Sequence, residues 1–211
     1  MPRLGELSPR PSCRVGSAIL GCGRQLGGEC VAWINDDMVL YHGCSDQSLF
    51  PRNQAGIVVT GGSHNIKHTA GGARPDFGPG FYTTTWLHQA KSWANLRVFK
   101  MQARYPGARA VVLSMRLKRN RFANLQSLVF PSDRDNFYPF VAYCRGGGTP
   151  HADLAYRGTP YDVIAGPVSV FRQNLVIGQA DQVSFHTDTG TAAISRVEVL
   201  DMGTPTFELS R

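Results

Sequence analysis

Apolar and polar positions along this chain fall mostly into short alternating or continuous runs broken by glycine, with helical spacing in only two places. Met38-Val39-Leu40-Tyr41-His42 reads as a strand closed by Gly43, Ser48 to Pro51 as a turn, and Gly56 to Thr60 as another short strand. Gly61 to Gly80 reads as a long glycine-rich loop, a feature that is functional or mobile when it sits inside a domain. Gly80-Phe81-Tyr82-Thr83-Thr84 is the next strand. A helix is expected directly after it, capped by Thr84 or Thr85, because Leu87, Ala90, Ala94 and Val98 recur at helical spacing. Val111 to Leu117 is the clearest strand. Ser132 or Asp133 is expected to cap a short helix carrying Phe137, Phe140, Val141, Tyr143 and Cys144, ended by Gly146 to Gly148. Tyr161 to Ala165, stopped by Gly166-Pro167, then Gln182 to His186 and Ser195 to Leu200, complete the strands. Many short strands with two or three helices make an α+β chain.

Residues 1–30 are rich in Gly, Pro, Arg and Ser and show no period, so they read as a loosely structured leader before one domain over 31–211. A length of 211 residues suits that division. With 42% hydrophobic and 18% charged residues the composition is globular rather than disordered. No apolar run approaches the length of a membrane-spanning helix, so no membrane partner is expected. The apolar patch Ala18 to Leu20 is too short for a secretory signal, which leaves a cytoplasmic protein or an effector secreted without a cleaved signal.

The net charge of +7 suits anionic partners without choosing among them, and nucleic acid stays possible but less favoured. The densest basic run, Arg116, Lys118, Arg119 and Arg121, reads as a solvated strand end or as a partner-binding patch. The five cysteines contain no CxxC pair, so no metal site is expected and reduced thiols are favoured.

The chemistry can be narrowed by exclusion. The glycine-rich loop lacks the strand–GxGxxG–helix and GxxxxGK[ST] contexts of phosphate loops, and no GxSxG or HExxH occurs. Two glycine-flanked strand ends remain, Tyr41-His42-Gly43 and Gly80-Phe81-Tyr82, with one nearby acid, Asp76. Such a set suits a planar cationic ring laid over tyrosine. The same residues read equally well as half-buried strand positions, with Asp76 in an Asx-type turn.

A resemblance tips this balance. Leu40-Tyr41-His42-Gly43 resembles the His-Gly strand of poly(ADP-ribose)-polymerase-like ADP-ribosyltransferases. Gly78-Pro79-Gly80-Phe81-Tyr82-Thr83-Thr84-Thr85 resembles their Gly-x-Gly-x-Tyr-Phe strand, and Asp181-Gln182-Val183-Ser184-Phe185 their late strand. The spelling Leu40 to Gly43, Asp76 to Thr83 and Tyr161 to Val168 is closest to a little-characterised bacterial and fungal family, whose relatives include effectors that ADP-ribosylate host protein such as ubiquitin. The resemblance implies an ADP-ribosyltransferase fold: split, mostly antiparallel β-sheets with flanking helices and NAD+ in the cleft between them. It implies mono-ADP-ribosyl transfer from NAD+ to a macromolecule, a protein first, with NAD+ glycohydrolase or a catalytically inactive binding module as alternatives. By the same resemblance His42, Gly43, Gly80, Phe81, Tyr82 and Thr83 would bind NAD+, and Asp76, Gln182 and Tyr82 would be catalytic. Arg74 would join the binding set because a guanidinium grips phosphate in a bidentate fork, or would pair with Asp76.

The chain departs from the pattern at Gln182, where the common family has glutamate. An amide accepts a hydrogen bond but carries no charge. The resemblance then implies that Asp76 supplies the acid, so that Asp76→Ala would abolish turnover and leave the fold intact. The other readings are that Gln182 suffices for NAD+ cleavage or that the domain is inactive. His186 shares a strand face with Gln182 and Ser184. Asp162 is expected to cap a strand or pair with an arginine, and Asp135 and Arg145 to lie on a helix surface.

Overall fold

A computed structural model describes residues 36–49, 75–133, 136–148, 161–170 and 173–209. The leader, the strand at 56–60, Arg74 and Asp135 lie outside these residues, as does most of the glycine-rich loop. Seven strands are described: β1 (Met38–Ser45), β2 (Phe81–Thr83), β3 (Ala110–Leu117), β4 (Ser127–Val129), β5 (Val163–Ser169), β6 (Val176–Phe185) and β7 (Ile194–Met202). The helices are α1 (Asp46–Leu49), α2 (Leu87–Met101), α3 (Arg119–Phe122), α4 (Phe137–Arg145) and α5 (Asp188–Ala192). The fold is α+β.

The strands form two sheets, β1-β3-β7 and β2-β6-β5-β4. Every pairing is antiparallel except β4 with β5. Strand periodicity turns the sheets into layers. On β3, Val111, Leu113, Met115 and Leu117 face an inner core shared with Leu40, Phe81, Val163, Val183 and Phe185 of the other strands. The alternate residues Ala110 and Val112 face α2, where they meet Ala90, Ala94 and Val98. On the far side of the second sheet, Ile164 packs with Phe77 under Phe137, Phe140 and Val141 of α4. The order through the molecule is thus α2, first sheet, inner core, second sheet, α4.

Several local expectations are corrected. Gly43 does not end β1, which runs on to Ser45. Its role is close approach, because a Cβ there would lie 2.0 Å from the Ala90 carbonyl oxygen and 2.8 Å from the Ala94 nitrogen of α2. The helix α2 begins at Leu87, later than threonine capping would give. Its N-cap is Trp86, which makes no side-chain cap bond. Thr84 Oγ1 instead accepts from the Trp86 N–H at 3.0 Å, a turn just ahead of the helix. The N-cap of α4 is Asn136, again with no side-chain cap bond. Asp133 accepts from the Tyr138 hydroxyl instead. Nor does Gly166-Pro167 stop β5. Pro167 is tolerated because β4 pairs only with Val163–Ala165, and the ladder to β6 breaks register just beyond it. Residues 46–49 form a single helical turn where a plain turn was expected.

Candidate functional site

The inner space between the sheets is filled by apolar side chains, not by an open cleft. The polar chemistry gathers on the outer face of the second sheet, under α4. Its source is the alternation of β6: Val183 and Phe185 point inward, while Gln182, Ser184 and His186 take the other side and are nonetheless buried.

Asp76 anchors this layer and is itself buried. One carboxylate oxygen, Oδ1, accepts from Arg145 Nη2 at 2.6 Å and Nε at 3.1 Å. The other, Oδ2, accepts from the Ser169 N–H at 2.9 Å and from Gln182 Nε2 at 2.8 Å. Arg145, expected on a helix surface, is therefore turned inward from the last turn of α4 as the ionic partner of Asp76. Pairing and hydrogen bonding of this kind are what a buried charge requires. The carboxylate is compensated and saturated, which suits holding its neighbours in place.

The consequence falls on Gln182. Its Nε2 gives a second bond to the Pro167 carbonyl at 2.8 Å, so both amide hydrogens are engaged. Oε1 has no partner among the described residues. Gln182 lines a cavity of about 350 Å³ together with Thr85, Asp181, Gly166, Pro167, Phe130 and Met38. Asp181 was quoted in the late-strand motif without a role. Its Oδ1 accepts from Thr84 Oγ1 at 2.7 Å and the Thr85 N–H at 2.8 Å, and its Oδ2 accepts from the Thr85 hydroxyl. It joins the end of β2 to β6 from the strand face opposite Gln182, and both residues line the same cavity. The pairing of β2 with β6 produces this contact, and no local spacing in the sequence could have shown it.

Tyr82 is half-buried, with its hydroxyl end enclosed. The hydroxyl accepts from the Phe77 N–H at 3.0 Å and donates to the Gly78 carbonyl at 2.7 Å. Burial, above all, holds its pKa well above the ordinary value, with Cys144 and Asp76 adding to the rise against the hydrogen bonds. Burial and then the Asp76 charge push the Cys144 thiol up to about 12, so it is an inert thiol at neutral pH. His186 donates from Nδ1 to the Pro79 carbonyl at 2.7 Å, and Ser184 Oγ lies 2.8 Å from its Nε2. Ser184 Oγ also donates to the Ile164 carbonyl at 3.1 Å.

The structure brings Asp76, Tyr82 and Gln182 into one layer but separates His42 from it. On β1, His42 shares a face with Leu40 and Cys44 and stacks on Phe81, with ring centroids 4.7 Å apart. Its Nδ1 donates to the Tyr82 backbone carbonyl at 2.6 Å. A single aromatic cleft shared by the His42 and Tyr82 rings is thus not what the chain forms. Phe81 is core, and the Thr83 hydroxyl is spent on the Val183 carbonyl. At Gly80 a Cβ would lie 2.8 Å from the His186 ring, so glycine there makes room for the histidine. Asp162 caps as expected, accepting from the Gln126 N–H and from the Thr187 hydroxyl. The described cysteines, Cys44 and Cys144, are buried thiols outside any disulfide, and no group of His, Cys, Asp and Glu among the described residues could hold a metal ion. None of the described helices is long and apolar enough to cross a membrane.

A protein-family model described as protein of unknown function (DUF3990) matches residues 61–179. No curated protein matches the chain. The family match covers more than half of the sequence, and the chain belongs to that family.

Proposed function

We propose that this member of the DUF3990 family is an NAD+-dependent mono-ADP-ribosyltransferase that modifies a macromolecule, a protein in the first place. The observation that carries the reading is the state of Gln182. Its amide nitrogen is fixed by Asp76 and Pro167, its Oε1 has no partner among the described residues, and the residue lines a cavity that Asp181 also lines. Support also comes from the meeting of the three motifs that resemble the transferases: β1 bridges to Thr84 through Tyr41, and β2 pairs with β6.

The chemistry asks for this arrangement. The bond from the ribose C1′ to the nicotinamide nitrogen breaks, and its electron pair leaves with the ring, which departs neutral. The ribose carbon becomes cation-like before the acceptor atom bonds to it and sheds its proton. A fixed acceptor for a ribose hydroxyl and a nearby negative charge favour that transition state. The first role falls to Gln182 Oε1 and the second to Asp181, which lines the same cavity from the other face of β6. Asp76 acts through Gln182 as a positioning residue, with Arg145 locking it. Tyr82 and Phe130 offer ring surface toward this layer.

The saturation of Asp76 favours a second reading, a module that binds NAD+ or ADP-ribose without turnover. The purified chain with labelled NAD+, with and without a cell lysate, separates the two. Transfer predicts nicotinamide release and label on a macromolecule. Binding without release supports the module, release of free ADP-ribose alone makes the chain a glycohydrolase, and neither binding nor release removes NAD+ from the account.

A further inference from the structure

The search for a second functional surface ends on the outward side of α2. Ala90, Ala94 and Val98 take its buried side against the first sheet. On the opposite side Trp93, Leu96 and Phe99 follow one another at three-residue steps and stand 46%, 38% and 73% exposed. Arg97 is four residues beyond Trp93, and Lys100 four beyond Leu96, so both cations border the apolar stripe. Both are exposed, and neither forms an ion pair among the described residues. The charge extends well past the helix. Residues 77–132 hold nine lysines and arginines and no aspartate or glutamate.

We propose that the outward face of α2 docks on an anionic lipid surface. Two features select that partner. Arg97 and Lys100, exposed beside the stripe and outside any ion pair among the described residues, match an anionic surface. The stripe joins an aliphatic side chain, Leu96, to Phe99 and Trp93. Leu96 offers a nucleic-acid base no plane to stack on, while all three suit the boundary between headgroups and acyl chains, with the indole N–H at headgroup level. The face thus has the parts of an interfacial helix: apolar residues to insert and cations beside them for anionic headgroups. This revises the expectation of no membrane partner and does not depend on the reaction proposed above.

The test is co-sedimentation of the full chain with vesicles of phosphatidylcholine alone and of phosphatidylcholine mixed with phosphatidylserine, at low and raised salt. The expected result is pelleting with the mixed vesicles only, weakened by salt. Arg97→Gln and Lys100→Gln should each lower partitioning by about fivefold. Phe99→Ser should lower it further. Because these side chains are exposed, circular dichroism should show all three variants folded. Equal behaviour toward both vesicle types would overturn the proposal. So would undiminished pelleting of Phe99→Ser, or salt-sensitive binding to single- or double-stranded DNA with no binding to mixed vesicles.

Discussion

The two faces of the second sheet obey different rules. Its inner face meets the first sheet through Phe81, Val163, Val183 and Phe185, with no polar group among them. Its outer face, a residue away on the same strands, buries Ser184 and His186 and sets Gln182 against the Asp76–Arg145 pair. The inner face is explained by burial alone, since each large side chain removed from water contributes about 1.5–3 kcal/mol. The outer face is not, because a buried ion pair is often no better than apolar packing of the same volume. A fold that keeps such a pair spends stability on placing particular atoms, and here the atom placed is Gln182 Oε1.

The largest expected effect probes the pair itself. Asp76→Ala leaves the Arg145 guanidinium and the Gln182 amide without their partner and should cost about 3–5 kcal/mol, read from denaturant unfolding. The sequence-based expectation that this change spares the fold is thereby revised. Replacing both charges, as Asp76→Leu with Arg145→Met, should recover most of that loss while leaving no activity. Full stability in Asp76→Ala would mean that the outer layer is not built around the carboxylate.

The matching change on the inner face is Leu113→Ala, expected to cost about 2–5 kcal/mol. Activity per folded molecule should stay unchanged, because Leu113 belongs to the inner core and not to the cluster under α4. A loss of activity beyond the loss of folded protein would erase the distinction between the faces.

Alkaline pH should weaken the outer face selectively. The Cys144 thiol stands at 9.0 when unperturbed and is raised to about 12 in the fold, and the Tyr82 hydroxyl is raised well above 10.0. A raised pKa gives stability that is complete below the unfolded value and is lost as pH climbs toward the folded one. Stability should therefore start to fall above pH 9, by up to about 1.4 kcal/mol per pH unit for each group. In Cys144→Ala the onset should move toward pH 10. An unchanged onset would remove Cys144 from the layer's energetics.

The smallest effect belongs to the surface pair Lys91–Asp201, 3.0 Å apart at the rim of α2. Lys91→Met should change stability by no more than about 1 kcal/mol, and its loss should be mimicked by salt. A larger cost would point to the contact of Lys91 with the Phe207 ring.

Much of the fold was legible because period-two and helical patterns report which side faces a core. The spacing of Ala90, Ala94 and Val98 and the continuous run of β3 landed where the pattern put them. The site was legible only in part. The sequence pointed to Asp76 and Gln182 but could not show that they touch, 106 positions apart, nor that Arg145 turns inward to meet them. Glycine was misread twice for one reason: Gly43 and Gly166 look like stops, yet both sit inside strands at points of close approach, to α2 and to Phe130 respectively. Asp181 was overlooked because its partners, Thr84 and Thr85, are nearly a hundred positions away.

The central claim is that the buried pair exists to hold Gln182 Oε1 toward a ribose. Its most direct test is the rate of nicotinamide release from NAD+ by the wild-type chain and by Gln182→Ala, with folding of both verified by circular dichroism. The account predicts measurable release by the wild type and a fall of about a hundredfold in the variant, the scale set by removing one transition-state hydrogen bond. Release by Gln182→Ala at the wild-type rate would contradict it.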